Sequence, residues 1–207
     1  MKLIFVLDPM CSWCWGFRPI FEQVRHALPD GMQVRYVMGG LAPDSDEPMP
    51  QKTIDYVQSQ WKLVTNETGA RFNWDFWQCC QPRRSTYPAC RAVIAAGLQS
   101  EETRPEMIYA IQQAYYLNAK NPSDLDTLID CAGQIELDQE KFSKDIQSPE
   151  VEQQLQSELN LRRQLGVTGF PSLRLEDNGK LNSIEIDFKD VRKILRQINS
   201  NLNLYNQ

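Results

Sequence analysis

Cys11-Ser12-Trp13-Cys14 lies directly after the apolar run Leu3-Ile4-Phe5-Val6-Leu7 and directly before a stretch with helical spacing, so two thiols stand at a strand-to-helix junction. A helix start offers unpaired N–H groups and the positive end of the helix dipole, and both favour an anionic sulfur. Two cysteines separated by two residues also close into a disulfide with little chain movement, the second sulfur attacking whatever the first has bonded to. Cys11, nearer the helix start, is the expected nucleophile, and Cys14, one turn in, the expected resolving thiol.

The same pair is half of a zinc site if two further ligands exist. The only histidine, His26, lies on the following helix with no partner beside it. Cys79 and Cys80 are sequence neighbours, which rarely both reach one tetrahedral ion. The context therefore favours thiol–disulfide chemistry, with no metal or bound cofactor expected beyond a redox-active Cys11–Cys14 disulfide. A second signal comes much later, where Val167-Thr168-Gly169-Phe170-Pro171 opens a strand. Proline is tolerated at a strand's first residue, and X-Pro is the bond at which cis is accessible.

The segment from Asp8 to Phe17, Asp8-Pro9-Met10-Cys11-Ser12-Trp13-Cys14-Trp15-Gly16-Phe17, resembles the active-site segment of the DsbA-like oxidoreductases, in particular their FrnE-like branch of protein-disulfide isomerases. Thr86-Tyr87-Pro88-Ala89-Cys90-Arg91-Ala92 resembles that branch's helical-domain signature, and Val167 to Pro171 its cis-proline loop. The resemblance implies an α/β protein, a thioredoxin fold split by a large all-α helical insertion. It also implies that the loop at Phe170-Pro171 faces the dithiol, leaves the preceding backbone free to pair with an extended substrate, and keeps metal from the thiols. On this basis Cys11 and Cys14 are catalytic, and Ser12, Trp13, Gly169, Phe170 and Pro171 bind substrate. Trp13, between the cysteines, is expected to point outward.

Where the best-known periplasmic members carry Pro-His between the cysteines, this chain has Ser12-Trp13. Without the histidine the disulfide should be less oxidising, with a potential between about −120 mV and about −270 mV. The kappa-class glutathione transferases and hydroxychromene carboxylate isomerases share the split fold but generally carry serine at the first cysteine position. Both sulfurs are kept here, which favours disulfide-bearing protein clients over small-molecule chemistry, with glutathione as a candidate co-substrate.

The rest of the chain agrees with a split fold. A strand over 2–7, a helix carrying Ile20, Val24, Ala27 and Leu28, and a strand over Val34–Met38 stopped by Gly39-Gly40 form a βαβ unit with parallel strands. A loop rich in proline and acidic residues follows over 41–50, and from about 51 to 165 the patterns are helical. They include the stripe Ile54, Val57, Trp61, Val64 and an alanine-rich helix from Pro88. A further helix from Leu125 is capped by Ser123 or Asp124, and one from Ser148 has Pro149 at its first position. Strands near 172–176 and 183–187, joined at Asp177-Asn178-Gly179, and a helix over about 189–199 end the pattern. The expected division is a thioredoxin-like domain of 1–45 plus 166–207 and a helical domain of 46–165.

A chain of 207 residues with 42% hydrophobic content can bury a substantial core. Its net charge of −5 offers no basic surface for nucleic acid, and no apolar run is long enough for a membrane span. Met1-Lys2-Leu3 leads straight into the first strand without a secretory signal, so the expected location is the cytoplasm, where the dithiol rests reduced. Among the other side chains, Asp8 is read chiefly as a turn residue before Pro9, with proton handling the sharper alternative for it and for Glu22. Arg18 is expected to face solvent, Trp15 and Phe17 to pack in the core, and Cys131 to be buried. Cys79, Cys80 and Cys90 are expected to be buried apolar thiols rather than an accessory redox set.

Overall fold

The computed structural model describes residues 1–203; the last four residues assigned to the thioredoxin-like domain, 204–207, lie outside the described residues. The first unit is β1 (Lys2–Leu7), α1 (Ser12–His26) and β2 (Gln33–Met38). A helical segment follows: α2 (Gln51–Thr68), α3 (Phe76–Cys79), α4 (Tyr87–Gly97), α5 (Thr103–Tyr116), α6 (Leu125–Gln134), α7 (Gln139–Asp145) and α8 (Pro149–Gln164). The chain then returns through β3 (Ser172–Asp177) and β4 (Lys180–Ile184) to α9 (Val191–Asn203).

Among the described residues the strands form one sheet in the order β2-β1-β3-β4. β1 runs parallel to β2 with Leu7 opposite Met38, and antiparallel to β3 with Val6 opposite Ser172. A central strand has both faces covered, which explains the unbroken apolar run of β1. Leu3, Phe5 and Leu7 face one core with Phe17, Phe21 and Ile194, while Ile4 and Val6 join Val37, Leu165 and Val167 on the other side. The first of these cores continues without interruption into the helical segment through Ala89, Met107, Ile111 and Leu128. A separate aromatic cluster around Trp61 gathers Phe76, Tyr115 and Tyr116, and Met10 and Trp15 beside the cysteines pack against it.

Several local expectations shift. β4 begins at Lys180, earlier than the sequence pattern suggests, because Asp177 pairs directly with Lys180 and leaves Asn178-Gly179 as a two-residue turn. Both turn residues have positive φ, 46° and 78°, the conformation that makes Asn-Gly a hairpin signal. Neither Ser123 nor Asp124 caps α6 through its side chain. Ser123 donates to the Ser85 carbonyl and Asp124 pairs with Arg83, so tertiary partners have taken both groups. Ser148 does cap α8, accepting from the Val151 N–H at 3.2 Å.

Candidate active site

β1 ends at Leu7, and Asp8 turns the chain into α1: its carbonyl accepts from the Cys11 N–H at 3.0 Å and its Oδ1 from the Met10 N–H at 2.8 Å. Cys11 thereby becomes the residue at the N-cap of α1, in extended conformation, with Cys14 inside the first turn. Cys11 is 7% exposed and Cys14 1%, and both are free thiols. The parallel strand β2 stops beside this junction, where the Gly39 N–H donates to the Leu7 carbonyl.

The second sequence signal arrives at the same place. Phe170 and Pro171 are joined by a cis peptide bond, and the Cys11 thiol lies 3.6 Å from the Phe170 carbonyl oxygen across 159 residues of chain. Gly39 makes the approach possible, since a Cβ there would overlap the Phe170 ring. The Arg162 guanidinium lies over that ring, 5.7 Å from its centre, and the Ser172 hydroxyl donates to the Gly169 carbonyl.

Asp8 is fully buried, contrary to a role limited to the turn. Its Oδ2 accepts from the Leu41 N–H and the Thr86 hydroxyl, each at 2.7 Å, and lies 3.7 Å from the Cys90 sulfur. Burial raises the Asp8 carboxyl above the usual carboxylate range despite the Leu41, Thr86 and Met10 hydrogen bonds that oppose it. Burial likewise holds the Cys14 thiol well above the ordinary thiol range. Its hydrogen bond with Cys11 and the Asp8 charge act in the same direction, while a main-chain hydrogen bond from Asp8 pulls the other way. Tyr116 also belongs to this buried group. Its hydroxyl has no hydrogen-bond partner among the described residues, and both cysteines influence its titration.

Trp13 departs from expectation. It is half-buried rather than outward-pointing, because α2 and the segment before α9 close over the helix start. Its indole N–H donates to Gln60 Oε1 at 3.0 Å, and its ring meets the edge of Phe188 at 5.2 Å. Trp13 and Phe170 form a partition. On one side is a cavity of about 200 Å³ that also reaches Cys11 and Ser12; on the other a groove of about 440 Å³ is bordered by Gly169 and Pro171. All five residues read as substrate-binding thus border a depression next to the dithiol.

The remaining candidates separate. Phe17 is fully buried, and Trp15 is half-buried with its ring stacked on Tyr116. Arg18 lies against the Tyr109 ring, 3.6 Å from its centre, and within 3.5 Å of Glu22, so neither Arg18 nor Glu22 is a free solvent group. Cys90 and Cys131 are buried and Cys80 half-buried, but Cys79 is exposed, a correction to the expectation of burial. Among the described residues no group of three or more His, Cys, Asp or Glu is arranged to hold a metal ion. Gln60, Phe188, Thr86 and Tyr116 received no role from sequence. Only Thr86 carried a signal, as part of the Thr86–Ala92 signature.

Comparison with known proteins agrees with the fold. A family profile described as thioredoxin matches residues 4–195. Among solved structures, a candidate protein disulfide isomerase from Nitrosomonas europaea is 26% identical, with a TM-score of 0.87 over 98% of each chain. The cytosolic disulfide reductase DsbM from Pseudomonas aeruginosa is 22% identical, with a TM-score of 0.80 over 99% of this chain and 100% of that one. Among curated proteins, the ClpXP adapter protein SpxH of Bacillus subtilis is 23% identical over 84% of this chain, which spans 57% of the adapter's length. Among the described residues no helix is long and apolar enough to cross a membrane.

Proposed function

The chain belongs to the thioredoxin family, and from that premise we propose that it is a thiol–disulfide oxidoreductase or isomerase acting on protein disulfides through Cys11 and Cys14. The observation that carries the proposal is the Cys11 sulfur at the start of α1, 3.6 Å from the Phe170 carbonyl, with the more deeply buried Cys14 in the turn behind it. In reduction, the Cys11 thiolate attacks one sulfur of a client disulfide, a mixed disulfide forms, and the client's other sulfur leaves as a thiolate that takes up a proton. Cys14, losing its proton, then attacks Cys11; the Cys11–Cys14 disulfide forms and the client's second thiolate is released. Two electrons have passed from the dithiol to the client, and a thiol reductant must restore it. In isomerisation, the client's own thiolate resolves the mixed disulfide and no net electrons move.

Each site element has a part in this scheme. The N–H groups at the start of α1 steady negative charge on Cys11. Asp8, next to Cys14 and raised by burial, is the group that accepts the Cys14 proton in the second step. Trp13, Gly169, Phe170 and Pro171 hold the client on either side of the sulfur, with Ser12 lining the cavity. Residues 1–45 and 166–207 supply the dithiol and facing loop, and 46–165 the opposite wall. In a cytoplasmic setting the dithiol rests reduced and the reaction runs toward reduction.

Insulin reduction, or refolding of a scrambled disulfide protein, should be abolished in Cys11→Ser, while Cys14→Ser should accumulate mixed disulfides with clients. A second reading, glutathione-dependent chemistry on small molecules, draws on the fold shared with 2-hydroxychromene-2-carboxylate isomerase, at a TM-score of 0.62 and 12% identity. Glutathione conjugation that survives Cys14→Ser would favour that reading and count against the first.

A further inference from the structure

The cavity of about 200 Å³ beside Cys11 has Phe170 on the same side as the sulfur, with Tyr56, Trp61 and Arg84 among its other walls. Arg84 is the charged residue in that lining. It is half-buried on the loop between α3 and α4, and among the described residues it makes no hydrogen bond or ion pair. Its neighbour Arg83 differs, being held by Asp124 and by the Ser123 carbonyl at 2.8 Å. The Arg84 charge is felt by Asp8, but the Asp8 oxygens already accept from Met10, Leu41 and Thr86. A second unmet donor adjoins: Trp61 is fully buried, and its indole N–H has no acceptor among the described residues.

A partly desolvated guanidinium is most favourable against a planar anion that takes two of its N–H groups at once. The N-terminal end of α1 adds potential of the same sign to the same cavity. The chain as a whole carries −5, so an acidic ligand gains nothing from long-range steering, and any selection for it acts at contact distance. We propose that Arg84 is a specificity residue that docks a carboxylate carried by the substrate immediately beside its disulfide. The inference rests on the redox reading above and names the chemistry of its substrate. An extended residue spans about 3.4 Å, so a cavity this size accommodates the acidic neighbour of a half-cystine. A carboxylate belonging to a small disulfide offers the same group.

The test separates docking from redox chemistry. A thioether analogue of a cystine peptide, with Glu or Gln next to the bridge, binds without exchange. The wild type should bind the Glu form roughly fivefold more tightly. That preference should vanish in Arg84→Gln and shrink without vanishing in Arg84→Lys, which keeps the charge but not the paired N–H groups, with unchanged unfolding midpoints. Equal binding of the two peptides by the wild type, or a Glu preference that survives Arg84→Gln, overturns the proposal. Rates of dithiol oxidation by 3,3′-dithiodipropionate and by neutral bis(2-hydroxyethyl) disulfide then identify the source. An Arg84-dependent preference for the diacid extends the docked carboxylate to small disulfides, whereas a preference confined to peptides assigns it to protein clients. Reduction of the neutral disulfide with no charge preference anywhere removes the docking role and leaves the redox reading standing. Charge-selective binding with no reduction of any disulfide does the reverse.

Discussion

Burial gives the two thiols different work, although their exposures differ by little. Cys14 is almost fully buried in the first turn of α1 near Asp8, while Cys11 keeps its sulfur at the edge of a cavity and against the Phe170 carbonyl. The cysteines, the proline loop and the strand before them were legible in sequence because each is a local pattern. Asp8 was legible chiefly as a turn residue, with proton handling as the alternative, since the groups that hold its carboxylate come from Leu41 and Thr86, 33 and 78 residues away. Its titration carries a signed consequence. A carboxyl raised in the folded state holds its proton where the unfolded chain has released it. Its contribution to stability is therefore full below the unfolded value near pH 4 and is lost as pH rises through the folded value. Asp8→Asn should flatten that decline in urea-unfolding measurements between pH 4 and pH 8. An unchanged slope would remove Asp8 as its source.

At the level of elements, the site depends on how closely β2 and the proline loop approach. Gly39 reads in sequence as the end of a strand, and nothing in the pattern shows that its missing side chain makes room for Phe170. Gly39→Ala should displace the Phe170 ring and with it the carbonyl facing Cys11, lowering insulin reduction by roughly tenfold, as small misplacements of reacting groups do. Overpacking of this kind should also cost about 1–3 kcal/mol of stability. Activity equal to wild type would mean that the loop adjusts freely and does not set the geometry of Cys11. Caps and strand ends were read less well than helices for a related reason. Ser148 keeps its local bond, but Asp124 is drawn away by Arg83, and no local pattern reports a competing tertiary partner. The Trp13 ring is a third instance, because its place is fixed by Gln60 and Phe188 from distant segments.

Across the whole molecule, the sheet and the helices inserted into it share one continuous apolar core. A buried ion pair within the helices is tied across that boundary: Arg104 on α5 donates to Glu158 on α8 at 2.6 Å, and Glu158 also accepts from the Met38 N–H at the end of β2 at 2.7 Å. Their side chains are 4% and 8% exposed, so losing one partner leaves the other charged and unmatched. Glu158→Ala should therefore cost about 3–5 kcal/mol, and wild type and variant alike should unfold in a single transition. Two separated transitions, or a loss below about 1 kcal/mol, would show that the segments are coupled less tightly than their shared core implies. The order βαβ, helices, ββα was legible from periodicity, whereas the sharing of one core was not, because pattern reports which face is apolar but not what covers it.

The central claim is that Cys11 and Cys14 form the reacting pair, and equilibration in a series of glutathione redox buffers, with thiols trapped and mapped by mass spectrometry, tests it most directly. The account predicts a single Cys11–Cys14 disulfide that forms and breaks at a potential between about −120 mV and about −270 mV, with Cys131 alkylatable throughout once the chain is unfolded. A Cys11–Cys14 pair that stays reduced across the series, or a first disulfide that joins other cysteines, would contradict it.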